Sequence, residues 1–237
     1  ALKDNNRAEK YLDDGIAHIK NTDGGNDFRE ADAHYYKASV NDQLGNNTIA
    51  KRQFEEAERL YETALEGAYD EVYLDFIINA TRFYAKTNDK EKALTMAEKA
   101  YNYIKENQGS TTTFEIQQAL NLGEIHYELG DYASALEKGV STEALLKKSL
   151  PTQTNPLDSI NIMLYKPQTI LLKTQSAYKL NQQKNNGDFL KTAFKQLKEA
   201  INIVDKQKTL IGDDSNVSML IENNSTLFEF AEQLALE

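Results

Sequence analysis

The run Ala119-Leu120-Asn121-Leu122-Gly123-Glu124-Ile125-His126-Tyr127-Glu128-Leu129-Gly130-Asp131-Tyr132-Ala133-Ser134-Ala135-Leu136 constrains this chain more than any other part of it. An apolar stretch carrying Leu122-Gly123 ends in Gly130-Asp131-Tyr132, and Ala135-Leu136 follows. The pattern reads as two antiparallel helices joined by a tight turn. Gly123 and Ala135 are the small residues that a close helix crossing requires. Gly130 accepts a positive φ, and Asp131 caps the helix that follows. Other segments repeat the pattern. Ile77, Ala80, Thr81 and Tyr84 lead into Asn88-Asp89, and Ala93, Leu94, Ala97 and Ala100 follow. Phe54, Ala57, Tyr61 and Ala64 carry the second-helix spacing, behind a helix over 31–44 that ends at Gly45. Ala57, Ala93 and Ala135 lie 36 and 42 residues apart.

These residues resemble the tetratricopeptide repeat, in which each unit is a pair of antiparallel helices. The strict period of that family is about 34 residues, so insertions are expected in the loops. Two more degenerate units fit the frame. One pairs Tyr11, Gly15 and His18 with Phe28, Ala31, Tyr35 and Ala38. The other pairs residues 169–180 with Phe189, Ala193, Leu197 and Ala200. The resemblance implies an all-α, TPR-like α-solenoid, a right-handed superhelix of antiparallel helix pairs. Residues 1–237 are expected to form a single array, with core repeats over about 31–148 and irregular repeats over about 158–237.

Periodicity and breakers predict ten helices, at roughly 4–20, 28–44, 48–66, 70–87, 90–107, 112–129, 132–148, 158–181, 188–207 and 216–236. No segment sustains period-two alternation, so no sheet is expected. Asp23-Gly24-Gly25-Asn26, Gly45-Asn46-Asn47-Thr48, Asn185-Asn186-Gly187-Asp188 and Gly212-Asp213-Asp214 read as turns. Within Gly109-Ser110-Thr111-Thr112-Thr113 a hydroxyl is placed to cap the helix before Glu115. Pro151 and Pro156 forbid continuing helix, and Pro167 is expected to kink the next one or delay its start to about Gln168.

The chain has no cysteine, which removes thiol nucleophiles, Cys-ligated zinc and disulfides together. Net charge is −10, with acidic excess over 1–130, basic excess over 131–208 and acidic excess again to the end. An acidic first half repels phosphates, so no nucleic-acid partner is expected. The lysines of the basic stretch read as solvated helix backs. No apolar run reaches the ~18–20 residues that span a bilayer, so no membrane span is expected. The chain starts without a methionine or signal-type core and ends inside an amphipathic run, so it reads as part of a longer protein. The compartment expected is the cytoplasm, with the periplasm as the alternative, and the oligomeric state is left open.

Catalytic constellations fail on residue type or spacing. None of the three histidines, His18, His34 and His126, follows a glutamate by three residues, as a di-iron bundle requires. His126 reads as packing between repeats. Asp23-Gly24-Gly25-Asn26-Asp27 lacks the alternating oxygens and terminal glutamate of a calcium loop. No nucleophile elbow, Walker loop or dinucleotide fingerprint is present. Carboxylate pairs such as Glu55-Glu56 and Asp213-Asp214 suit helix surfaces. No metal, no cofactor and no catalytic residue are therefore expected, and the chain reads as a non-enzyme.

The TPR frame implies a protein–protein interaction scaffold that holds a peptide or partner segment in a concave groove. That groove would be lined by first-helix residues turned away from their own partner helix: Asp75, Ile78, Asn79, Arg82 and Lys86 in one repeat, and Gln117, Leu120, Asn121, Glu124 and Glu128 in the next. The expected partner-binding residues are Asn79, Arg82, Lys86, Asn121 and Glu124. Asn79 and Asn121 occupy equivalent positions and could hold a peptide backbone. They resemble part of the carboxylate clamp of chaperone-binding repeats, but Gln117 and Asn121 stand where that clamp needs Lys and Arg. Most of the thirteen tyrosines read as core, with some exposed ones suited to anchoring a ligand. A second resemblance rests on Leu164-Tyr165-Lys166-Pro167-Gln168-Thr169-Ile170-Leu171-Leu172-Lys173-Thr174-Gln175-Ser176-Ala177-Tyr178-Lys179-Leu180 and Gln196-Leu197-Lys198-Glu199-Ala200-Ile201. These look like the repeat arrays preceding bacterial caspase-like (CHAT) protease domains. On that alternative the chain is the regulatory or substrate-recognition arm of a protease or signalling protein whose catalytic domain lies elsewhere.

Overall fold

The computed structural model describes residues 2–22, 26–107, 112–150, 156–181, 187–210 and 214–236. Eleven helices run through them: α1 Leu2–Lys20, α2 Asp27–Gln43, α3 Asn47–Leu65, α4 Glu71–Lys86, α5 Lys90–Asn107, α6 Thr113–Glu128, α7 Tyr132–Ser149, α8 Pro156–Asn181, α9 Gly187–Leu210, α10 Asp214–Asn223 and α11 Ser225–Ala235. There is no strand among the described residues. The expected turn residues Asp23, Gly24, Gly25, Gly109, Ser110, Thr111, Pro151, Asn185, Asn186, Gly212 and Asp213 lie outside them, as does the side chain of Phe189.

Three turns are built alike. Gly45, Asn88 and Gly130 all have positive φ. After each, the next N–H reaches back to a carbonyl five residues earlier: Asn46 to Asn41 at 2.8 Å, Asp89 to Tyr84 at 2.8 Å and Asp131 to His126 at 2.9 Å. This bond closes the end of one helix and starts the next in the reverse direction. Caps then fix the helix starts: Asn26 accepts from Arg29 N, Asp70 from Tyr73 N, Thr112 from Glu115 N and Asp131 from Ser134 N. The Thr112 hydroxyl is the one expected before Glu115. The turns lie 43 and 42 residues apart. Since α2 and α3 alone span 17 and 19 residues, the excess over a period of about 34 lies in the helices as well as the loops.

The described residues form two compact units, 1–103 and 104–237. In the first, α1 pairs with α2 through Asp13–Lys37 and Glu9–Asn41, so α2 is flanked on both sides. The α2–α3 hairpin is antiparallel: Phe28 packs edge-on to Tyr61 near its open end, and His34 meets Gln53 further in. Next-but-one helices run parallel. Tyr35 of α2 meets Phe76 of α4, and Glu58 of α3 meets Lys92 of α5 at 2.8 Å. Phe54, Tyr61, Phe76, Phe83 and Tyr84 fill the interior between them and are essentially inaccessible. The second-helix alanines Ala57, Ala93 and Ala135 are all fully buried, as the crossing argument requires.

In the second unit, Gly123 lies where α6 crosses α7. A Cβ there would stand 3.0 Å from Lys138 Cβ of α7 and 2.6 Å from Leu172 Cδ2 of α8. The sequence pointed to the α7 crossing, and the α8 contact comes in addition. Gly139 of α7 likewise faces the Lys173 backbone at 3.3 Å.

Pro167 does not delay the start of α8, which runs from Pro156 through it. Proline removes the donor that would reach the carbonyl four residues earlier. That carbonyl belongs to Met163, and Gln207 Nε2 of α9 donates to it at 3.4 Å. The helix expected over 216–236 is two helices. At the break, Asn224 is buried and its Nδ2 donates to the Leu220 carbonyl at 2.8 Å, competing with the backbone ladder. Beyond it, α11 packs Leu227, Phe230, Ala231 and Leu234 into a core with Tyr178, Leu197, Ala200 and Val204.

Between α7 and α8, Glu143 accepts from Lys173 at 2.7 Å and pairs with Lys147 at 3.3 Å. Burial pushes its carboxyl up, but the two lysines outweigh that and hold it below the ordinary value of 4.5. A carboxylate with a depressed folded-state pKa stabilises the fold above its unfolded pKa, and loses that contribution as pH falls through the folded one. Glu143→Gln should therefore lower the melting temperature at pH 7. The gap to wild type should narrow from about pH 4.5 downward, as the pH falls through the folded-state pKa. Melts at pH 7, 5, 4 and 3 test this, and a gap that stays constant with pH would remove the pair's role.

Candidate partner-binding face

Asn79 and Lys86 stand on α4 facing α2, with Arg82 one turn along between them. The side chain of Asn79 is committed to the scaffold: Nδ2 donates to Tyr35 Oη at 2.7 Å and to the Asp75 carbonyl at 3.0 Å. Tyr35 Oη in turn donates to Asp75 Oδ2 at 2.7 Å. Burial first, and this bond second, push the Tyr35 phenol above its ordinary range, so it stays a donor. The relay Asn79–Tyr35–Asp75 uses both amide hydrogens of Asn79 and leaves its Oδ1 to accept from outside.

Tyr36 lies beside the relay. Its ring stacks on Tyr35 at 5.2 Å with 24° between planes, and it is 56% exposed. A rigid aromatic flanked by charge is a favourable anchor for a peptide side chain. Arg82 is exposed and lies close enough to Tyr35 to act electrostatically on its phenol. Lys86 pairs with Asp42 of α2 at 2.5 Å and lies over the Phe83 ring, 6.0 Å from its centre. Asn79, Arg82 and Lys86 thus share one face of the first unit with Tyr36, Asp42 and Asp75. Ile78 is buried and contributes no open surface.

The other two expected residues belong to the second unit. Glu124 of α6 is half-buried, whereas Asn121 is only 2% exposed. The Asn121 side chain therefore faces the interior of α6 packing rather than an open surface, because α8 packs on the same helix around Leu120 and Leu172. Asn79 and Asn121 match in sequence position but differ in accessibility. His126 is not a packing residue between repeats alone: its Nδ1 lies 3.3 Å from Asp131 Oδ2, within the α6–α7 turn. Tyr36 was recognisable as a tyrosine but not as the exposed one, since Tyr35 and Tyr36 adjoin in sequence and only packing decides which turns inward.

Two clefts accompany these helices. One, of about 390 Å³, is lined in the first unit by Lys51, Arg52, Glu55, Phe83 and Thr87. The other, of about 170 Å³, lies in the second unit among Tyr127, Gln175, Lys179, Thr226, Glu229 and Gln233. No helix among the described residues is long and apolar enough to cross a membrane.

No protein-family profile and no curated protein matches the sequence. Among solved structures, the crystal structure of BtubC (BKLC) from P. vanneervenii is similar to it, with a TM-score of 0.66 at 17% identity over 86% of this chain and 74% of that one. The likeness is one of fold. The chain has an all-α helical-repeat fold.

Proposed function

We propose that this chain is a tetratricopeptide-like interaction module that binds a peptide or partner segment along the α2–α4 face, and that it acts by binding rather than catalysis. The observation that carries this reading is Tyr36, an exposed ring stacked on a tyrosine locked by Asp75 and Asn79. An anchor already held in place loses little conformational freedom on binding. Asn79 Oδ1 supplies an acceptor for a backbone N–H, and Arg82 and Lys86 supply positive charge beside Asp42 and Asp75. The segment best suited to this face carries an apolar side chain for Tyr36 and an acidic group for Arg82.

Peptides selected from a displayed random library against the purified chain test the proposal. Tyr36→Ala is expected to weaken the best of them by about tenfold or more, in keeping with an aromatic hot spot. Because Tyr36 is exposed, its melting temperature should be unchanged. Arg82→Ala should weaken acidic peptides in particular, and more at low salt. Peptides that bind both variants as tightly as wild type would move the interface off this face.

A further inference from the structure

The α2–α3 hairpin brings together three side chains that the partner face does not use. Glu30 and His34 stand one helical turn apart on α2, and Glu56 faces them from α3. One ligand atom from each lies within 4.8 Å of the other two. His34 is 7% exposed and Glu30 is 9% exposed. His34 Nδ1 lies 2.6 Å from Gln53 Oε1 of α3. With the amide oxygen as acceptor, Nδ1 carries the ring hydrogen and Nε2 is left with a lone pair. Nε2 is buried without a hydrogen-bond partner and points at Glu30 Oε1, 3.5 Å away. A lone pair facing a carboxylate in a buried setting is unfavourable unless a proton or a metal ion lies between them.

The two carboxylates already hold cations at the solvent rim. Lys20 Nζ lies 3.0 Å from Glu30, and Arg59 forks onto Glu56 at 2.7 and 3.1 Å. The Arg59 hydrogen bonds, ahead of the opposing effect of burial, hold Glu56 below the usual carboxylate range. Both cationic side chains are more than half exposed, so each can swing into water.

We propose that Glu30, His34 and Glu56 bind a divalent transition-metal ion of the zinc type, with Gln53 orienting the imidazole. One imidazole nitrogen and two carboxylate oxygens suit Zn²⁺ better than Ca²⁺ or Mg²⁺, which take all-oxygen shells. A ligating histidine that donates its other N–H to an oxygen acceptor is the outer-shell arrangement such ions require. The ion displaces Lys20 and Arg59, closes the three ligands around itself and bolts α2 to α3. Its fourth position opens to the rim that the two cations vacate. The sequence hides this site because Glu30 and His34 are four residues apart rather than three, and Glu56 arrives only through the hairpin.

Chelator-treated chain titrated with ZnCl₂, by calorimetry, and with CoCl₂, by visible absorption, tests the site. One ion per chain is expected, bound at micromolar Kd or tighter. The melting temperature should rise by roughly 5–10 °C at zinc a hundredfold above Kd. His34→Gln and Glu56→Gln should each weaken binding at least tenfold, and His126→Gln should leave it unchanged. Arg59→Gln should tighten it several-fold, because the competitor for Glu56 is gone. If His34→Gln fails to fold by circular dichroism in chelator, the half-exposed Glu56 decides through its own variant. Binding weaker than millimolar, or binding that survives the loss of His34 or Glu56, overturns the proposal.

Discussion

Replacing Phe76 by alanine is expected to destabilise the first unit by about 3–5 kcal/mol, the largest effect of any single truncation considered for it. The side chain is fully buried. Its ring meets Tyr35 edge-on at 5.6 Å, Tyr61 at 5.2 Å, Tyr73 at 5.7 Å and Phe54 at 6.1 Å. Removing it therefore leaves a hole shared by α2, α3 and α4, and those helices cannot close over it without giving up aromatic contacts elsewhere. Phe76→Leu should cost markedly less, since it fills most of the volume. The chain has no tryptophan, so tyrosine near-ultraviolet circular dichroism during urea unfolding reads this core directly. A loss below about 1 kcal/mol for Phe76→Ala would mean that the aromatic hub is not where stability resides.

Gly123→Leu is expected to cost about 1–3 kcal/mol or more through overpacking. Even the first added carbon meets Leu172 Cδ2 at 2.6 Å and Lys138 Cβ at 3.0 Å. The Leu172 contact involves the end of a flexible side chain, so Gly123→Ala should be partly absorbed by a rotamer change. The Lys138 contact is with a Cβ carried by the α7 backbone, and it yields only if the helix moves. The double variant Gly123→Ala with Leu172→Ala should lose less stability than the sum of the two single losses, because the two sites share one space. Thermal melts of the three variants check this. An unchanged melting temperature for Gly123→Leu would place the α6–α7 crossing elsewhere.

The fold was legible because its signals are local. Small residues at crossings, Gly45 and Gly130 at turns, and the capping Asp131 each act within a few residues. Asn88 could be read the same way, since asparagine tolerates the left-handed region better than other non-glycine residues. The α10–α11 break was not legible, because Asn224 interrupts an amphipathic pattern that continues on both sides of it. Pro167 misled for a related reason: its missing donor is answered by Gln207, forty residues away, and no window around a proline shows that. The candidate face was half legible. Helical spacing places Asn79, Arg82 and Lys86 together, but it cannot tell that Tyr35 spends the Asn79 amide or that Asn121 is covered by its neighbours. Exposure belongs to the packed hairpins, and Tyr36 could be chosen only after Tyr35 was seen to turn inward.

The ion pairs that tie one hairpin to the next also write an order into the chain. Asp42 on α2 holds Lys86 of α4, and Glu58, the twelfth residue of α3, holds Lys92, the third residue of α5. In both cases the earlier hairpin supplies the acid and the later one the base. At the spacing of 43 residues between Gly45 and Asn88, the positions equivalent to Asp42 and Glu58 one hairpin on are Ala85 and Tyr101. A tandem copy of the α4–α5 hairpin would therefore bring its lysines against an alanine and a tyrosine, and both would lose the carboxylate they pair with. Lengthening this array by copying a hairpin would thus require new acids at two positions, and each hairpin carries, in effect, the address of the one that may follow it.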